Sequence, residues 1–127
     1  MAVAAFASWH EGHEQANAVL SRGARLPAHC GLEMYSVLTR LPPPHRVSDA
    51  IAREFVLSRF RDPWLTLEQD HYRTLLLELA DRRIAGGAAY DGLVGITAAR
   101  YGLLLVSRDR RASRVYAALG IDFELAV

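Results

Sequence analysis

Apolar residues recur every three or four positions over most of the chain, and this spacing predicts a series of amphipathic helices. Helices are predicted over residues 33–41, 48–60, 68–83, 88–101 and 109–119, after a first helix that runs from the amino terminus through Leu20. Ser48 is the expected N-cap of its helix, and the prolines at 42–44 must end the helix before them. Among the positions expected to face the core are Leu32, Leu38, Ile51, Val56, Tyr72, Leu75, Leu76 and Leu79.

Short apolar segments lie between these helices and predict short strands. Residues 25–28 form a weak, short strand or an extended segment in this prediction, residues 64–67 and 103–106 form short strands, and the alternating segment 121–125 suits an edge strand. Leu103–Val106 is apolar throughout, which is typical of a strand buried on both faces. Helices that alternate with short buried strands predict an α/β fold with a parallel sheet covered on both faces.

Composition limits the class of protein. The chain has 127 residues, of which 51% are hydrophobic and 23% charged, so one folded domain over residues 1–127 is expected. The net charge of +1 excludes a global field that would attract nucleic acid or a membrane, and a polyanion site must be a local patch. The single cysteine, Cys30, excludes a disulfide framework and suits a cytoplasmic protein, and no apolar run is long enough to span a membrane.

Three carboxylates are candidates for chemistry because of where they fall along the predicted elements. Asp109 follows the strand at 103–107, where reactive groups of parallel sheets collect. Asp91 lies in the first turns of the helix after Gly86–Gly87, and Glu33 lies on the helix that follows the segment at 25–28. Carboxylates that converge from three segments could hold Mg²⁺, which binds one or two carboxylates, water and a substrate phosphate.

Each of these residues also has a purely structural interpretation, and spacing alone leaves the choice open. Asp109 could simply be a helix N-cap, Asp91 an acid that satisfies the helix dipole, and Glu33 a solvated helix residue. The same holds for the arginines around Asp109. These arginines could bind phosphates together with Ser107, or they could form a solvated helix face. They are Arg108, Arg110, Arg111 and Arg114.

Three segments together resemble the PIN domain, and more narrowly the VapC-type toxins of toxin–antitoxin pairs. They are Leu32–Leu41, Gly86–Leu93 and Leu104–Ala112, and the resemblance continues through Tyr116–Gly120. It implies a three-layer α/β/α fold with a short parallel sheet and a Mg²⁺- or Mn²⁺-dependent endoribonuclease that cleaves transfer RNA or another structured RNA. It also implies a cognate VapB-type antitoxin as partner and a homodimer.

The resemblance assigns roles to the candidate residues. Glu33, Asp91 and Asp109 match the second, third and fourth acidic positions of the family and are the implied catalytic metal ligands. Ser107 matches the hydroxyl beside the last acid. The arginines would hold flanking RNA phosphates: Arg108, Arg110 and Arg111.

The amino terminus departs from the family pattern. Family members open with a hydrophobic central strand that ends in a metal-binding Asp, whereas this chain begins inside the helix that follows that strand. We therefore expect the strand and its Asp to be absent, through either a misassigned start codon or a true truncation. In the second case the alternative function is a catalytically inactive PIN domain that only binds an antitoxin.

Overall fold

The computed structural model describes residues 13–126, which divide into two compact units between Trp64 and Leu65. The amino-terminal part of the predicted first helix lies outside the described residues. Each unit has its own hydrophobic core. The expectation that residues 1–127 form one PIN domain stays a prediction.

The first unit contains three helices: α1 (His13–Ser21), α2 (Ala28–Thr39) and α3 (Asp49–Arg59). Helix α2 begins five residues earlier than predicted because Pro27, in an extended conformation, occupies its N-cap position. It ends before the proline run, as predicted. Ser48 caps α3 as predicted, since its side chain accepts a hydrogen bond from the Ile51 N–H.

Helices α2 and α3 pack against each other through one narrow stripe on each helix. Leu38 is completely buried, and the other core residues of this unit are Leu26, Met34, Ala52, Val56 and Phe60. Leu32 and Ile51, which were expected to face the core, are exposed. Leu32 follows the buried Gly31 on α2, and Ile51 precedes the buried Ala52 on α3. Successive side chains on a helix point about 100° apart, so Leu32 and Ile51 point away from the buried stripes.

The second unit contains α4 (Gln69–Asp81), α5 (Ala88–Arg100), β1 (Leu105–Ser107), α6 (Arg110–Ala118) and β2 (Phe123–Leu125). The two strands pair in parallel, with Leu105 opposite Phe123 and Ser107 opposite Leu125. Because parallel neighbours need a crossover, α6 connects them across one face of this small sheet. The core of this unit is formed by Ala98, Leu105, Ala112, Val115, Tyr116, Leu119 and Ile121.

Close packing in this unit depends on glycines in α5. A Cβ added at Gly95 would lie 2.5 Å from Cδ1 of Ile121 and 3.1 Å from Cδ1 of Tyr116. One added at Gly92 would lie 3.0 Å from Cδ2 of Leu79. Helix α5 therefore approaches its neighbours more closely than an alanine at Gly95 would allow.

The strand predictions are confirmed only in part. Residues 25–28 and 64–67 do not form regular strands: each segment contains a single β-bridge residue, Pro27 or Leu65, and α2 already starts at Ala28. The predicted strand at 103–106 begins two residues later. The Leu103 N–H donates to the Ala98 carbonyl in the turn that closes α5, so it is not available to pair with a strand, and the Leu103 and Leu104 side chains are exposed.

The predicted core of α4 also needs correction. Leu75 and Leu79 of α4 are buried, whereas Tyr72 and Leu76 are exposed. The two buried residues lie four positions apart, so α4 contacts its neighbours through one narrow stripe of its surface. The part of the chain that the structure describes is thus a helix-rich α/β fold with a small two-stranded parallel sheet, compatible with a PIN-like fold.

Candidate active site

The turn between β1 and α6 holds the last predicted acid in a defined position. Ser107 Oγ accepts a hydrogen bond from the Asp109 N–H at 3.1 Å. Oδ1 of Asp109 in turn accepts from the N–H groups of Arg111, at 2.9 Å, and Ala112, at 3.3 Å. Asp109 is therefore the N-cap of α6, as one of the two interpretations of the sequence predicted.

Capping does not exclude a second role for this carboxylate. Its side chain is 49% exposed. The two hydrogen bonds described above and the approach of Arg111 Nε, at 3.9 Å, all involve Oδ1. The carboxylate has a second oxygen, Oδ2, so capping and cation binding are chemically compatible.

Residues 108–114, around the start of α6, carry a local excess of positive charge. Arg110, Arg111 and Arg114 are exposed, whereas Arg108 is half-buried. The opposite side of α6 is buried through Ala112, Val115 and Tyr116, so the arginines occupy its solvent face. Arginine forks and the amino terminus of a helix both attract phosphate groups.

Asp91 lies in the first turn of α5, the helix that follows the break at Gly86 and Gly87. Gly86 has a φ of +63°, a left-handed conformation that glycine adopts without strain, and Gly87 is the N-cap residue. Gly87 has no side chain to cap α5, so the acid in the first turn complements the helix dipole. Asp91 is half-buried beside the closely packed Gly92.

Glu33 lies on α2 in the first unit, and it has a partner on its own helix. Its Oε2 is 2.9 Å from Nε2 of His29, which precedes it by one turn. Sequence inspection missed this histidine, although the spacing of four residues on a predicted helix was a usable signal.

The carboxylates suit a hard divalent cation in kind, because Mg²⁺ and Mn²⁺ prefer oxygen ligands. No three His, Cys, Asp or Glu side chains within residues 13–126 come close enough together to hold a metal ion. A cation that keeps most of its water ligands needs only one or two carboxylates, together with a substrate phosphate. The donor chemistry therefore fits, and the complete set of Glu33, Asp91 and Asp109 stays a prediction.

Two proteins of Mycobacterium tuberculosis are clearly similar to this chain. Ribonuclease VapC40, in strains CDC 1551 / Oshkosh and ATCC 25618 / H37Rv, is 46% identical over 123 residues, which cover 97% of this chain and 92% of VapC40. Ribonuclease VapC27 of strain H37Rv is 39% identical over 105 residues, or 83% of this chain and 76% of VapC27. The chain belongs to the VapC family.

This membership confirms the resemblance seen in the three sequence segments. The match to VapC40 extends over almost the whole chain and therefore includes Glu33, Asp91 and the turn from Ser107 to Arg111. No family model matches the chain, and no solved structure matches it significantly. Within residues 13–126, no helix of this VapC protein is long and apolar enough to cross a membrane.

Proposed function

We propose that this chain is the toxin of a VapBC-type toxin–antitoxin pair and acts as a Mg²⁺- or Mn²⁺-dependent endoribonuclease on structured RNA, with transfer RNA the first candidate substrate. The observation that carries the proposal is the 46% identity to Ribonuclease VapC40 over 97% of the chain. The ordered turn from Ser107 to Arg111 supports it, because that turn combines a carboxylate with phosphate-binding side chains.

The residues of this chain have separate tasks in the proposed reaction. Glu33, Asp91 and Asp109 would hold the cation, which when bound supplies positive charge at the phosphate under attack and makes water more acidic. Ser107 holds the backbone of the turn by accepting a hydrogen bond from the Asp109 N–H, and the Arg111 and Ala112 N–H groups hold Oδ1 of the carboxylate.

The exposed arginines of α6 would hold RNA phosphates on either side of the cleaved bond. Arg110 and Arg111 project from the first turn of α6, where the helix dipole adds to their charge. Contacts of this kind position the RNA without reading its sequence. Binding should therefore weaken steeply as salt concentration rises.

The partner in the cell would be a VapB-type antitoxin encoded next to this chain, which would block the active site. A homodimer is the expected form of the toxin. Sedimentation of the purified chain, alone and with the neighbouring antitoxin, measures both expectations.

Asp91→Asn tests the enzymatic proposal most directly. We expect the wild-type chain to cleave total transfer RNA in the presence of Mg²⁺ and to stop when EDTA removes the metal. Asp91→Asn should lose cleavage but keep its circular dichroism spectrum and its binding to the antitoxin. Asp70→Asn is the matched control, because it changes an exposed acid in the first turn of α4, and it should cleave like the wild type.

Two results would contradict the proposal in different ways. Cleavage by a clean preparation of Asp91→Asn at the wild-type rate would remove Asp91 from the metal site. A wild-type chain that binds the antitoxin but cleaves no RNA with either metal would instead be the inactive, antitoxin-binding PIN domain.

A further inference from the structure

Helices α4, α5 and α6 of the second unit end in the same way, but the residue that ends α4 is not a glycine. Gly102 after α5 and Gly120 after α6 have φ angles of +66° and +68°, and Arg83 after α4 has a φ of +55°. In each case the next N–H donates to the carbonyl five residues before it, the pattern of a helix closed by a left-handed residue. These hydrogen bonds run from Ile84 to Leu79, from Leu103 to Ala98 and from Ile121 to Tyr116.

Arginine is an unfavourable residue for this backbone conformation. With a left-handed φ, the Cβ of an L-residue crowds the following carbonyl oxygen, whereas glycine has no Cβ and avoids the strain. No hydrogen bond or ion pair of the Arg83 side chain with residues 13–126 offsets this strain, and the side chain is exposed. Residues held in such conformations cluster at functional sites, so the strain directs attention to what the guanidinium could bind.

The neighbouring arginine differs in this respect. Nη2 of Arg82 lies 3.5 Å from Oε2 of Glu78, one turn earlier on α4. The charge of Arg82 is therefore partly balanced by an acid of the same helix. The guanidinium of Arg83 has no such partner in the described part of the chain and is available to an anion from outside it.

Helices α4 and α5 pack antiparallel, as two contacts at their opposite ends show. A Cβ added at Gly92, near the start of α5, would lie 3.0 Å from Cδ2 of Leu79, near the end of α4. The hydroxyl of Tyr101, directly after α5, forms hydrogen bonds with the backbone of Thr66, shortly before α4. The end of α4 and the start of α5 therefore lie together.

This arrangement brings Arg83 to the end of the helix pair that carries a predicted metal ligand. Asp91 lies in the first turn of α5, and Arg83 follows the last residue but one after α4. An RNA strand held at Asp91 carries one negative charge per nucleotide, so further phosphates pass this end of the unit. Guanidinium groups match phosphate oxygens through two parallel hydrogen bonds.

We propose that Arg83 is an RNA-binding residue, which contacts a backbone phosphate of the strand held at Asp91. This inference rests on the proposed function, since it takes RNA as the substrate and Asp91 as part of the site. The contact would be separate from those of the α6 arginines. It would position the strand without reading its sequence.

The test measures how binding of transfer RNA to the full chain depends on salt, in EDTA to prevent cleavage. Arg83→Ala keeps a Cβ but removes the charge, so the log–log slope should fall by about 0.7–0.9, which corresponds to about five- to eightfold weaker binding at 0.1 M salt. Arg83→Lys keeps the charge and should keep the slope. Arg73→Ala is the matched control, with an unchanged slope, because it removes an exposed arginine about 15 Å earlier along α4.

Arg83→Gly separates RNA binding from stability. It should lower the slope as Arg83→Ala does, yet its Tm should be no lower than that of the wild type, because glycine relieves the crowding at this φ. In cleavage assays with Mg²⁺, both variants should raise KM and leave kcat within about twofold, since the contact is the same before and during the reaction. A lower Tm for Arg83→Gly would show that the side chain serves the fold and would overturn the inference.

The remaining outcomes distinguish this inference from the proposed function. If the wild type binds transfer RNA and Arg83→Ala binds it with an unchanged slope, Arg83 contacts no phosphate, while the proposed function stands. If Arg83→Ala weakens binding of the neighbouring antitoxin but not of RNA, the contact belongs to that protein and the RNA assignment is wrong. A wild-type chain that neither binds nor cleaves RNA removes the proposed function and this inference together.

Discussion

Replacing Asp109 separates two roles that one carboxylate can fill at the start of α6. As an N-cap, its Oδ1 accepts two backbone N–H groups, at 2.9 and 3.3 Å. Removing such a cap with alanine costs about 0.5–2 kcal/mol of stability, and about 1 kcal/mol is expected for this half-exposed side chain. As a metal ligand, the same carboxylate contributes charge that alanine and asparagine both lack.

Asparagine keeps the first role and removes the second. It caps helices about as well as aspartate, so Asp109→Asn should stay within about 0.5 kcal/mol of the wild type, the difference being the lost charge at the helix dipole. The Tm of Asp109→Ala should be about 3–6 °C lower than that of the wild type, because a loss of about 1 kcal/mol shifts the Tm by this amount in a chain of this size. Both variants should cleave RNA at least about 100-fold more slowly, beyond the usual effect of changing a residue that only supports a ligand.

The assay pairs urea unfolding with RNA cleavage at fixed Mg²⁺. Asp70→Ala serves as the control, because it removes an exposed acid from the first turn of α4, where the acid does not occupy the N-cap position. It should change stability by no more than about 0.5 kcal/mol and leave cleavage unaffected. Wild-type cleavage by Asp109→Asn would refute the metal role and leave Asp109 as a cap alone. Wild-type stability of Asp109→Ala would refute the capping argument.

Three further predictions concern the second unit. Gly95→Ala should lower the free energy of unfolding by about 1–3 kcal/mol, measured in urea, because the added Cβ would overlap buried side chains. Gly87→Ala is the control: its Cβ would meet open space, so the free energy of unfolding should change by less than about 1 kcal/mol. Tyr101→Phe removes a hydroxyl that accepts from the Thr66 N–H and donates to the Thr66 carbonyl, so it should cost about 1 kcal/mol and speed amide exchange at Thr66; unchanged exchange there would contradict this role. Arg111→Ala should reduce the salt dependence of RNA binding, measured with the Asp91→Asn variant, by about 0.7–0.9 in log–log slope, and an unchanged slope would mean that this side chain contacts no phosphate.

The candidate site was predictable where its residues are neighbours in sequence. The turn from Ser107 to Arg111 depends on contacts between residues two or three apart, so a strand, an aspartate and a helix pattern were enough to place it. The contact between His29 and Glu33 is equally local, because the two residues are four positions apart on one helix, and that spacing is visible in the sequence. The predicted convergence of Glu33 with Asp91 and Asp109 is different in kind, because it would depend on the packing of segments far apart in the chain, and it stays a prediction.

The sequence by itself determined the features that follow from local backbone chemistry. Ser48 accepts the Ile51 N–H at the start of α3, as predicted, and Gly102, with a φ of +66°, follows the end of α5 in the left-handed conformation that favours glycine. The prolines end α2 because proline lacks an amide hydrogen. These outcomes involve only residues within one turn of each other, so no tertiary contact was needed to predict them.

Tertiary structure decided which apolar residues are buried and which strands form. Leu76 has the same hydrophobic character as Leu75, yet only Leu75 is buried, because each helix presents one stripe to its neighbours. Leu103 and Leu104 looked like strand residues, but the turn that closes α5 uses the Leu103 N–H, and β1 starts at Leu105 opposite Phe123. A periodic pattern shows that a segment has an apolar face, whereas the partner that covers this face is specified only when distant segments pack together.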